Sequence, residues 1–99
     1  MRAIHLAPLD KLRPAVVLTR ERAIGRLSTV TVAAITSTIR GLATEVLVDE
    51  SNGLQHLSAI NLDNVYSFSY PKLGRHLGYL NESQEAALHR GLIRAFDLR

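Results

Sequence analysis

"TVTVAAITSTIRG", residues 29–41, decides the fold. Its first eight residues, Thr29–Thr36, are mostly β-branched, which suits a pleated, half-buried strand. Side chains alternate along a strand, so Val30, Val32, Ala34 and Thr36 share one face. The first three read as core. The fourth puts a hydroxyl on that face where the strand ends, and a polar group there must find a partner or a ligand. Ser37, Thr38 and Arg40 follow at once, so the loop after the strand is rich in hydrogen-bond donors before Gly41 turns the chain.

Outward from this strand the chain reads as further short strands. "AIHLA" (3–7) is closed by Pro8, and "AVVLT" (15–19) is apolar on both faces, as an internal strand would be. "TEVLV" (44–48) alternates, with Val46 and Val48 on one side and Glu45, Leu47 and Asp49 on the other. "LSAINLDN" (57–64) and "RHLGYL" (75–80) complete the set. One helix is marked near the end. Asn81 suits the N-cap, with Gln84 three residues on to make a capping box. Ala87, Leu88, Gly91, Leu92, Ala95 and Phe96 then recur on one face. Six strands and a closing helix predict a mainly β fold: a small, strongly bent sheet or barrel with the helix packed on it, as a single domain over 1–99.

Composition narrows the class. Hydrophobic residues make up 46% of the 99 and charged residues 21%, the balance of a globular domain rather than a disordered one. Ten arginines and two lysines outnumber nine acids, giving a formal charge of +3 that favours polyanionic partners. Arginine is the better fork for phosphate. There is no cysteine, which excludes disulfide scaffolds and thiolate metal sites. Apolar runs are too short to span a membrane, and "MRAIHLAPLD" does not read as a signal peptide, so a soluble, cytoplasmic protein is expected.

"LRPAVVLTR", residues 12–20, carries the most chemical stretch. Pro14 fixes its own φ and pushes Arg13 toward extended backbone, so this guanidinium is held at the entrance of a buried strand. Arg13 reads either as a surface ion-pair partner for Asp10 or Glu21, or as a positioned phosphate ligand. Thr36 reads either as a turn residue that bonds its own backbone, or as a ligand donor. His5, His56, His76 and His89 lie on four different elements with no common motif, and no metal site is expected among them. The glycines are isolated turn signals, and no phosphate-cradling loop is present.

Taken together, "RPAVVLTR" (13–20), "VTVAAITSTIRG" (30–41), "LDNV" (62–65), "LGRHLGYL" (73–80) and the closing capped helix resemble the MazF/PemK family of toxin endoribonucleases, in order and spacing, over residues 12–98. The resemblance implies an SH3-like barrel with a C-terminal helix, and a homodimer. It implies metal-independent, sequence-specific cutting of single-stranded RNA without a cofactor, and neutralisation by a cognate antitoxin. It places the family's catalytic arginine on Arg13 and its catalytic threonine on Thr36. Chemistry of that kind uses the ribose 2′-OH as nucleophile and leaves a cyclic phosphate, so the protein must supply charge neutralisation and proton transfer. Neither residue is a general base, which stays unassigned. Lys11, Ser37, Thr38, Arg40, Asp63 and Asn64 are the expected RNA-binding set. Six cations between Lys11 and Arg40, with Asp10 and Glu21 the only nearby acids, fit an antitoxin segment that is acidic and disordered until bound.

Two features depart from the family pattern. The first loop, "PLDKL" (8–12), is short, and Asn64–Ser67 reads "NVYS" where an arginine is usual at the Tyr66 position. Tyr66 reads either as a base-stacking ring or as a half-buried strand aromatic. Two alternatives stand beside the toxin nuclease. One is a CcdB-like gyrase inhibitor of the same fold, but that group ends Trp-Gly-Ile, whereas this chain has no tryptophan and ends Asp97-Leu98-Arg99. The other is a catalytically inactive homologue that binds only RNA or antitoxin. The apolar faces of Ala15–Thr19 fit a second copy covering one side.

Overall fold

The computed structural model describes all residues, Met1–Arg99. Six strands form one antiparallel sheet: β1 (Ala3–Pro8), β2 (Leu12–Val17), β3 (Thr29–Thr36), β4 (Glu45–Val48), β5 (Ser58–Ser69) and β6 (His76–Tyr79). The spatial order is β4-β5-β3-β2-β1-β6. A single helix, α1 (Glu82–Ala95), follows. The mainly β architecture with a closing helix is as the sequence predicts. No helix is long and apolar enough to cross a membrane.

Both faces of the sheet are buried near its centre. Ile4, Val16, Ala33, Ile35, Ile60 and Leu62 point toward α1 and pack with Leu80 and Leu88. On the opposite face Ala7, Ala15, Val17, Val30 and Val32 form a smaller cluster, flanked by Ile24, Tyr66, Phe68 and Tyr70. Strict alternation along β2 and β3 therefore sends apolar side chains into two cores, which explains why Ala15–Val17 are all buried. Tyr66 is one of the half-buried aromatics over the smaller core.

Helix α1 starts where the capping box places it. Asn81 Oδ1 accepts from the Gln84 N–H at 2.9 Å, and Gln84 Oε1 accepts from the Asn81 N–H at 2.9 Å. The Gln84 amide also exchanges hydrogen bonds with buried Asn52 at 2.7 and 2.9 Å. Asn52 in turn donates to the Tyr79 carbonyl at 2.8 Å. This network ties the 3-10 turn Glu50–Asn52 to strand β6 and to the helix start. There the backbones come so close that a Cβ on Gly53 would strike the Leu77 carbonyl, and one on Gly78 would strike the Asn52 carbonyl. Gly53 has φ +86, a conformation glycine adopts freely.

Three strand boundaries differ from the sequence reading by more than one residue, each for a physical reason. β2 covers 12–17 rather than 15–19. Its far end breaks because the Thr31 carbonyl accepts both the Leu18 and Thr19 N–H groups, at 2.8 and 3.3 Å. Its near end holds Pro14 inside the strand, opposite Leu6. Leu6 spends its own N–H and C=O on Arg75 and Gly74, at 2.9 and 2.8 Å. The Leu6–Pro14 pair is therefore not hydrogen-bonded, and Pro14 turns its donorless nitrogen toward β3. There the β2–β3 ladder stops at Ala15 opposite Ala34.

The third difference is the length of β5, which runs from Ser58 to Ser69 rather than ending at Asn64. Ala33 opposes Val65 while Ile35 opposes Ile60, so four residues of β5, Asn61–Asn64, bulge out against Ala34 alone. The bulge is built by its own side chains. Asn61 Oδ1 accepts from the Asp63 N–H at 3.0 Å, and Thr44 Oγ1 donates to Asp63 Oδ2 at 2.6 Å.

Candidate functional site

The β2 ladder stops at Ala15 opposite Ala34, so beyond Ala34 the C-terminal end of β3 is open on that side. On the other side the Asn61–Asn64 bulge interrupts the β5 ladder beside Ala34, and pairing resumes at Ile35 opposite Ile60 and Thr36 opposite Ala59. A cavity of about 210 Å³ lies at this end of β3. Arg13, Thr36, Thr38, Arg40 and Asn64 line it, together with Asp10, Glu45 and Asn61. Five of the eight residues singled out from the sequence thus converge on one cavity. Lys11 and Ser37 line a neighbouring cavity of about 370 Å³, which shares Arg13 and Ile35 with the first. Asp63 lines neither. Its carboxylate faces Thr44 and pins the bulge that carries Asn61 and Asn64.

Arg13 is oriented before any ligand arrives. Its Nε donates to Asp10 Oδ1 at 2.6 Å and its Nη2 to Asp10 Oδ2 at 2.9 Å. This is the ion pair that one reading of the sequence anticipated, and it leaves Arg13 lining the cavity. The hydrogen bonds from Arg13 hold the Asp10 carboxyl well below the usual carboxylate range, and the same contact raises the Arg13 pKa. Tyr66 also raises it, through a weaker Coulombic effect. Two N–H groups on Nη1 and one on Nη2 remain for a ligand.

Thr36 Oγ1 accepts from the Thr38 N–H at 3.1 Å, the local turn bond also anticipated. An accepting hydroxyl keeps its own proton to donate. Across the cavity Glu45 accepts from the Arg40 N–H at 3.2 Å and from the Leu42 N–H at 3.0 Å. This carboxylate folds the 37–42 loop over the site. Sequence reasoning missed Glu45 and Asn61, because only the bend of β5 brings β4 beside the end of β3. Their signal was present as polar residues on strands otherwise buried.

The structure also joins two histidines that the sequence keeps apart. His5 on β1 pairs with His76 on β6, their rings 5.1 Å apart and edge to face. They line a separate cavity of about 480 Å³, which Arg13 and Thr36 do not reach. His5 Nδ1 lies 2.9 Å from the Gly74 carbonyl, which fixes that nitrogen as the donor. No three His, Asp or Glu side chains converge in a metal-binding arrangement. The cationic side chains that line the 210 Å³ cavity are Arg13 and Arg40.

An acid-oriented arginine and a hydroxyl at the end of β3 are groups that can hydrogen-bond an anionic, phosphate-bearing ligand. The family description "PemK-like, MazF-like toxin of type II toxin-antitoxin system" matches residues 6–96, and the chain belongs to that family. It is similar to "Endoribonuclease MazF3" of Mycobacterium tuberculosis, 53% identical over 98 residues that cover 99% of this chain and 95% of that protein. "Probable endoribonuclease MazF5" of the same species is 44% identical over 86 residues, 86% of this chain and 79% of that one. Among solved structures, "Mycobacterium tuberculosis toxin MazF-mt6" superposes with a TM-score of 0.96 at 52% identity, covering 99% of both chains.

Proposed function

We propose that the whole chain, 1–99, is one toxin domain of a type II toxin–antitoxin pair: a metal-independent, sequence-specific endoribonuclease acting on single-stranded RNA in the cytoplasm. The observation that carries this reading is the convergence of Arg13 and Thr36 on one cavity, with the guanidinium held by Asp10. In the proposed reaction the ribose 2′-OH attacks phosphorus and gives up its proton, the P–O5′ bond breaks, the 5′-oxygen leaves as a hydroxyl by taking up a proton, and a 2′,3′-cyclic phosphate forms. Negative charge grows on the non-bridging oxygens. The free Nη1–Nη2 end of Arg13 is the group to neutralise it, and the Thr36 hydroxyl donates to the same oxygens. Thr38, Arg40 and Asn64 hold the strand within the cavity, and Lys11 and Ser37 receive it in the next one. Asp63 acts as a positioning residue through the bulge.

Membership of a toxin–antitoxin family supports an antitoxin as partner. We assign its inhibitory segment an acidic, disordered sequence that orders against the basic cluster from Lys11 to Arg40. The active form is proposed to be a homodimer, supported by the family fold and by exposed Leu47 and Leu57.

The test is cleavage of a long unstructured RNA in EDTA. Wild type is expected to cut and to leave cyclic phosphate ends. Arg13→Ala is expected to lose about 10²–10³-fold in rate, the scale for removing a preorganised charge stabiliser, with an unchanged circular dichroism spectrum. Loss of wild-type cutting in EDTA overturns the metal-free chemistry, and wild-type rates from folded Arg13→Ala remove Arg13 from it.

A further inference from the structure

The 370 Å³ cavity beside the candidate catalytic one differs from it in charge. Lys11, Arg13 and Arg75 line it, and no carboxylate does. Lys11 and Arg75 are exposed and make no ion pair. Leu12, Pro14, Leu54 and Leu77 give it apolar walls. Leu12 is 64% exposed, an apolar side chain left uncovered at the rim. Gln55 and His56 stand at the same cavity, exposed, and neither side chain has a hydrogen-bond partner within the protein. A carboxamide and an imidazole with free donors and acceptors can read the edge of a nucleobase. The volume falls at the small end of ligand pockets, about 300–1,000 Å³, as a single nucleotide requires.

We propose that this cavity is a nucleotide subsite of the substrate strand, adjoining the scissile phosphate. The base lies against Leu12 and Leu54, Gln55 and His56 read its edge, and Arg75 with Lys11 takes its phosphate. The inference rests on the endoribonuclease reading, because Arg13, the proposed catalytic residue, lines both cavities. Gln55 and His56 are then specificity residues supplied by the segment before β5, and Arg75 is a binding residue supplied just before β6.

Two measurements test it. The first is sequencing of the ends cut from a randomised single-stranded RNA by wild type, Gln55→Ala, His56→Ala and Arg75→Gln. The alanine variants are expected to flatten base preference about fivefold or more at one position next to the cut and to leave other positions unchanged. Arg75→Gln is expected to slow cutting at all sequences alike. The second is fluorescence anisotropy of a 2′-O-methylated, uncleavable single-stranded oligonucleotide, in which Arg75→Gln is expected to bind several-fold more weakly. Wild type that binds the oligonucleotide but cuts no RNA overturns the endoribonuclease reading, and the anisotropy series then decides the subsite alone. Unchanged preference and unchanged affinity in folded variants overturn the subsite. A shift in sedimentation with no change in RNA affinity also overturns it, and marks the cavity as a contact between two copies.

Discussion

Asp10 grips the Nε–Nη2 edge of Arg13 from three residues upstream, at 2.6 and 2.9 Å, and leaves Nη1 without a hydrogen-bond partner in the protein, on a side chain that lines the cavity. A guanidinium can present either edge to an oxyanion. Here one edge is spent on aiming the other, within a loop of only three residues, Leu9–Lys11, between β1 and β2. The acid also places a negative charge beside the site for an anion. Orientation and repulsion therefore act in opposite directions on rate and on binding.

Replacing Asp10 with Asn separates the two effects. Asn keeps one acceptor and loses the charge-assisted pair. Asp10→Asn is expected to lower kcat about 3–30-fold, on the scale of one hydrogen bond to a charged group, while KM for RNA stays equal or falls. A raised KM with unchanged kcat contradicts the positioning role.

The same pair fixes a pH dependence. The folded Asp10 carboxyl ionises below its unfolded counterpart because Arg13 donates to it. Its contribution to stability is therefore complete above the unfolded pKa of about 4 and is lost as pH falls through the lower folded value. The difference in unfolding midpoint between wild type and Asp10→Asn is expected to be constant above about pH 5 and to shrink below about pH 4. Thermal melts from pH 3 to 8 check this, and a difference that changes between pH 6 and 8 contradicts it.

Thr36 has two tasks on one oxygen, accepting from the Thr38 N–H and facing the cavity. Thr36→Ser keeps both and is expected to retain most activity. Thr36→Val keeps shape, loses both, and is expected to cost roughly 2–10-fold in rate per hydrogen bond lost. Single-turnover cleavage distinguishes the two variants, and equal rates for Val and Thr mean that the hydroxyl serves only the turn.

The glycines at the Asn52–Leu77 crossing are expected to tolerate substitution far less than Gly41. Gly41 has φ +75 with nothing within 4 Å, so Gly41→Ala bears only backbone strain of about 1 kcal/mol. Gly78→Ala must push apart two backbones and is expected to cost about 1–3 kcal/mol or more. Chemical denaturation of the two variants gives the comparison, and equal midpoints rule out the close packing.

What the sequence made legible was local. Alternation gave six strands, the Asn81–Gln84 box gave the helix start, and the face shared by Ala34 and Thr36 leads to the cavity they both line. Three things depended on how strands meet. The bulge at Asn61–Asn64 has no local signature, because "NLDN" alternates whether or not its partner keeps step. Pro14 inside β2 becomes intelligible only when Leu6 is seen to bond the other way. His5 and His76 meet only because β1 pairs with β6, and Gln55, His56 and Arg75 converge from segments on either side of β5.

The Arg13–Asp10 contact is also the only ion pair in a chain of twelve Lys and Arg and nine Asp and Glu. Nothing else in the fold is held by opposite charges in contact, and an exposed pair of this kind adds little to stability. Added potassium chloride therefore has almost no attraction to screen inside the protein, and its melting temperature is expected to change little with ionic strength. Attraction for an anionic strand responds oppositely, because each phosphate neutralised releases a counterion and affinity falls steeply as salt rises. Ionic strength thus acts as a dial on what the protein holds while leaving the protein itself alone.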